Sequence, residues 1–112
     1  MIELDKLTDD MEVWWGYLYC KGDKVRRAFP PEKYKIKVNK LDGYISLYNL
    51  RNQYVDTIYF SSYGNSFENT LYKTKDDITE DWDNLKNKFI RNINSMYEKR
   101  IKEAEKAFII GI

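Results

Sequence analysis

The acidic pairs Asp9-Asp10, Asp76-Asp77 and Asp81 with Asp83 are the residues of this sequence best suited to catalysis. Two carboxylates can carry glycoside or metal-assisted hydrolysis when a fold converges them on one cleft. The group from Asp76 to Asp83, however, stands where a helix N-terminus recruits acid, because its unpaired amides and aligned peptide dipoles favour negative charge. No active site is needed to explain it. Histidine is absent, which excludes a Ser-His-Asp or Cys-His arrangement, a His-ligated zinc and an imidazole proton shuttle within one chain. The single cysteine, Cys20, forms no intramolecular disulfide and rules out a Cys-rich metal site. As a nucleophile it would need a neighbouring base or cation such as Lys21. At the end of a strand aromatic on both faces, it reads as a small buried hydrophobe. Neither a P-loop nor a G-x-G-x-x-G occurs. The expectation is a non-enzymatic protein with no catalytic residues, no cofactor and no metal.

Charge is the stronger signal. The 112 residues carry 19 Lys plus Arg against 18 Asp plus Glu, a balance unlike that of a uniformly basic nucleic-acid binder. The charges are nevertheless blocked along the chain. Residues 1–12 hold five acids against Lys6, whereas residues 21–40 hold eight Lys or Arg against Asp23 and Glu32. Lys24, Arg26, Arg27, Lys33, Lys35, Lys37 and Lys40 form the candidate basic face. Lys and Arg that track phosphates beside Tyr rings that stack on bases are how small sheets hold single strands. Tyr34, Tyr44 and Tyr48 lie close in sequence. Strict alternation, though, sets Tyr34 on the face opposite Lys33, Lys35 and Lys37. Lysines on an outer strand also guard it against edge-to-edge pairing.

These residues must be positioned by a β region followed by one helix. Residues 13–20 alternate with apolar or aromatic residues on both faces, as in a covered or central strand. Lys21-Gly22-Asp23 reads as a hairpin loop and residues 24–29 as its return, with Pro30-Pro31 breaking the ladder for want of donors. Residues 33–40 alternate Lys with Tyr34, Ile36 and Val38. Asp42-Gly43 is the strongest turn signal, and residues 44–50, 54–60 and 67–72 read as further strands. The spacing then changes to 3.6. Thr74-x-x-Asp77 is a capping-box variant. Apolar residues follow at steps of three and four from Ile78 and Trp82 to Phe108, predicting a helix over residues 75–107. The fold expected for this single domain is α+β. An acidic arm (1–11) precedes an antiparallel meander or partly open barrel of five to six strands (12–73). The helix then covers the inner face of the sheet through Ile78, Trp82, Leu85 and Phe89.

Two features ask for partners. Trp14 and Trp15 face opposite ways, so only one can enter a given core. The helix, of roughly 45 Å by its length of about 30 residues, outruns a small sheet. Its stripe continues through Ile93, Tyr97, Ile101, Ala104 and Phe108 to an apolar tail at residues 109–112. An exposed stripe of that kind marks a contact. A homodimer through the distal helix is the expectation, and the acidic residues 1–10 folding back over the basic half of the helix is the alternative.

A meander ending in LYKT, followed by KDDITEDWDNLKNKF opening one long amphipathic helix, resembles small proteins encoded by phages and prophages of low-GC bacteria. The resemblance is one of layout. It spans residues 40–107, accords with the richness in Lys, Asn, Ile and Tyr, and carries over no functional residue. It implies a protein of the host cytoplasm that binds a host protein, as an inhibitor of a defence or regulatory system. The alternative expectation is a small nucleic-acid-binding module using strands 24–40. No apolar run reaches the ~18 residues of a membrane span, and no secretory h-region follows Met1, so no membrane partner is expected.

Overall fold

In the computed structural model, which describes residues 1–110 without the side chains of Ile109 and Ile110, four strands and one long helix account for most of the chain. The strands are β1 (Glu12–Lys21), β2 (Lys24–Asn39), β3 (Tyr44–Tyr48) and β4 (Tyr54–Tyr59), and the helix is α1 (Lys75–Ile110). They pair antiparallel in the order β1-β2-β3-β4, giving an open α+β meander. Of the apolar tail at residues 109–112, the backbone of residues 109 and 110 continues α1, and the rest lies outside the described residues.

The sheet has four strands where five or six were expected, for two reasons. Residues 67–72 form a 3-10 turn (Phe67–Asn69) and one bridge, Tyr72 to Trp14, on the outer edge of β1. Pro30-Pro31, moreover, does not split β2. Trp15 pairs with Glu32 and Tyr17 with Phe29, so Gly16 alone stands opposite the two prolines. This is a β-bulge, where the ladder is already open and missing N–H donors leave nothing unpaired. The carbonyl of Phe29 freed there accepts a hydrogen bond from Trp82 Nε1 at 3.3 Å. A Cβ on Gly16 would approach both Phe29 O and Trp82 Cδ1 to 3.1 Å. Glycine is what lets the helix settle on the bulge.

The buried core lies under one face of the sheet. Val13, Trp15, Tyr34, Ile36, Ile45, Leu47 and Ile58 project from the four strands, and Leu7 and Leu71 close over them. Ile2, Leu4, Phe60 and Tyr63 pack around its rim. The Tyr63 hydroxyl donates to the carbonyl of Ile2, and Ile2 N–H donates to Leu71 O at 2.9 Å. The acidic arm thus folds back over the sheet core and not over the helix.

No residue of α1 belongs to this cluster, which corrects the expectation that the helix covers the inner face. Gly16, which Trp82 touches, alternates with Trp15 and therefore faces the other side of β1. On that side Ile78 is fully buried, while Trp82, Leu85 and Phe89 are half-buried. The physical reason is competition: the arm and the loop after β4 supply enough apolar surface to seal the core face. The helix is left with the aromatic residues on the reverse of β1.

Asp77 N–H donates to Thr74 Oγ1 at 3.3 Å, so the capping residue foreseen in the sequence starts the helix. The Tyr72 hydroxyl donates to Asp81 at 2.7 Å; burial and that carboxylate push the phenol well above its usual range. At 36 residues and ~1.5 Å each, α1 is about 54 Å long. The molecule measures 68 × 28 × 25 Å, and every residue from position 97 to position 108 is exposed.

Candidate interaction surfaces

Three of the six acids singled out for chemistry are engaged in contacts between separate segments of the fold. Asp9 Oδ1 accepts from Val38 N–H at 2.6 Å, Asp10 pairs with Lys37 at 2.8 Å, and Asp81 accepts from Tyr72. Cys20 is half-buried, and desolvation raises its thiol pKa, the direction opposite to an activated nucleophile.

The seven basic residues do not form one site. Lys24 and Arg26 stand on the far end of the β1–β2 ribbon, where residues 24–34 of β2 pair with β1 and not with β3. Their charge and the two prolines protect that free edge. Arg27 lies over the rings of Phe29 and Tyr17, 4.8 and 5.5 Å from their centroids. Lys40 sits in the β2–β3 turn near Leu4, Asp5 and Phe60. Lys33, Lys35 and Lys37 do share a surface, the sheet face turned away from the core.

Register decides what accompanies them. Residues directly opposite on neighbouring strands project to the same side. Lys35 is opposite Glu12 on one side and Tyr48 on the other, and Tyr48 is opposite Tyr54. Asn39, Tyr44 and Tyr59 form a second row, and Lys37, Ser46 and Thr57 the row between. The ring pairs Tyr48–Tyr54 and Tyr44–Tyr59 meet edge to face at 6.0 and 6.4 Å. Tyr54 and Tyr59 are each 59% exposed. Trp14 lies opposite Lys33, whose Nζ is 5.9 Å from its ring centroid. The sequence placed Tyr34 correctly in the core, but alternation within one strand says nothing of which rings of the next strand stand beside it. Register supplied Tyr54 and Tyr59, and set Tyr44 and Tyr48, already close in sequence, on the face of the lysines.

The arm tempers the charge here. Glu12 pairs with Lys33 at 3.6 Å, and the bond to Asp10 raises the pKa of Lys37 while lowering that of Asp10. Asp10 holds this place with φ 65°, a left-handed conformation that Asp tolerates better than most residues. Lys35 has no ion-pair partner among the described residues.

The second surface is the distal part of α1. Ile93 is half-buried, whereas Tyr97, Ile101 and Phe108 are 50, 57 and 77% exposed, and Ala104 is exposed as well. With Ile90, 47% exposed, they recur at the 3.6-residue period of a straight helix, so they form one continuous stripe. Arg100 lies over the Tyr97 ring at 6.0 Å. Residues 90–108 carry Arg91, Lys99, Arg100, Lys102 and Lys106 against Glu98, Glu103 and Glu105. This distal arm of α1, residues 90–108, is therefore apolar on one side and net basic. None of the helices described is long and apolar enough to cross a membrane. No protein-family model and no curated protein matches the sequence, and no solved structure matches the fold.

Proposed function

We propose that this chain is a non-enzymatic interaction protein that grips a partner protein through the distal arm of α1. The observation that carries the reading is the exposed stripe Ile90, Tyr97, Ile101, Ala104 and Phe108, with half-buried Ile93 in line, on a helix that projects past its own sheet. A helix segment with no tertiary cover gains little from propensity alone, and aromatic and large aliphatic residues aligned on one face are the anchors of helix-in-groove recognition. The partner that fits is an apolar groove with an acidic rim, because the arm's flanks are net basic. A second copy of the chain, the dimer expected from the sequence, fits the apolar stripe but sets two net basic arms side by side. The resemblance in layout to phage-encoded small proteins makes a host regulatory or defence protein the class to screen, with inhibition as the consequence of binding.

Site-specific photo-crosslinking in a low-GC bacterial host tests this. With Tyr97 replaced by benzoylphenylalanine, one dominant adduct with a protein other than this chain is expected. It should disappear on adding Ile101→Asp and persist on adding Lys35→Ala. The same probe at Lys106, on the opposite side of the helix, should give none. An adduct of twice the 13.5 kDa chain mass, or one indifferent to Ile101→Asp, contradicts the reading.

A further inference from the structure

We infer that the open sheet face is a separate site for single-stranded nucleic acid, with Lys33, Lys35, Lys37 and Arg51 on the phosphates and Tyr48, Tyr54 and Trp14 against the bases. Two hollows mark its course. One is lined by Trp14, Lys33, Arg51 and Lys75 among others, and the next by Asp10, Lys35, Lys37, Tyr48 and Asn52. Lys33 lines the first hollow and Lys35 and Lys37 the second, all from β2, with Glu32 and Asp10 as the acids beside them.

The chemistry selects the ligand. Lysines at i, i+2, i+4 on one strand repeat every ~6.6 Å, a spacing suited to successive charges on an extended polyanion. Half-buried Tyr48 and exposed Tyr54, in the row of Lys35, offer flat apolar rings at the side of the same track. Stacking on such rings requires bases with free faces, which a single strand has and a duplex lacks. A polyanion without rings, or an acidic peptide, would leave Tyr48 and Tyr54 unused.

Asp10 and Glu12 act as placeholders. Each carboxylate holds a lysine of the track, and a phosphate that displaces it inherits the same charge-assisted contact. All of these pairs are exposed, so exchanging one anion for another meets little desolvation penalty. Lys35, with no acid of its own among the described residues, is the point of first contact.

Fluorescence anisotropy with a labelled single-stranded oligothymidylate, a mixed-sequence single strand and a duplex provides the test. Both single strands should bind at low salt, more tightly than the duplex, with affinity falling as salt rises. Tyr48→Ala, and independently the more exposed Tyr54→Ala, should weaken single-strand binding about tenfold. Lys35→Ala should lower the salt slope by about 0.7. Asp10→Asn should tighten binding, the result least expected of a merely structural pair. Ile101→Asp, on the other surface, should leave all of this unchanged. The inference is overturned if the oligothymidylate does not bind at low salt. It is equally overturned if both tyrosine variants bind like the wild type, or if the duplex binds as well as the single strand.

Discussion

Trp15→Ala is expected to destabilise the protein by roughly 3–5 kcal/mol, the range for removing an indole from a packed core. Trp15 is 1% exposed, on the core side of the edge strand β1. It is ringed by Tyr34, Phe29 and Tyr17 at 5.4, 5.8 and 6.2 Å between centroids. Its Nε1 also donates to Glu68 O at 2.7 Å, so truncation opens a cavity and leaves the loop after β4 without its tie. Small domains are stable by only about 5–15 kcal/mol in total, so the loss is a large part of the whole. Chemical denaturation should show a midpoint far below that of the wild type; an unchanged midpoint would mean that this residue is not the centre of the core.

The second large effect is of another kind. Trp82→Ala should loosen α1 while the sheet stays folded. Trp82 is half-buried, so the expected loss is about 2–3 kcal/mol, below the range for a fully buried indole. It falls on docking alone, because the core cluster contains no helix residue. Limited trypsin digestion reads this out. Cleavage at Lys86 and Lys88 should accelerate by more than tenfold, tracking the population of the opened state, while sites within β2 remain resistant. Equal acceleration in β2 would show that helix and sheet unfold as one unit.

Much of the fold was legible in the sequence because the signals were local. The change of period and the helix cap at Thr74, the turn at Asp42-Gly43 and the alternation in β2 each depend on a few neighbouring residues. What escaped depends on residues far apart. Pro30-Pro31 reads as a break until Gly16 is known to stand opposite and absorb it in a bulge. Leu7 and Leu71 look unremarkable in polar surroundings, yet both seal the core. The helix lies on the other side of β1, because the N-terminal arm and the loop after β4 occupy the core face. The candidate surfaces divide in the same way. The arm's stripe was readable from spacing alone, whereas the company of Lys35 was fixed by the register of β2 on β3 and of β3 on β4.

The distal arm of α1 is uncovered in the isolated chain and therefore available to a partner. Native-state hydrogen exchange on the isolated protein, followed by mass spectrometry of short peptides, tests it most directly. Amides that lie where α1 meets β1, around Ile78 and Trp82, should be protected together with those of β1 to β3. Amides of residues 97–108 should exchange with little protection, because a helix without tertiary cover opens readily. Protection across residues 97–108 as strong as that around Ile78 would contradict the account, since the stripe would then already be covered.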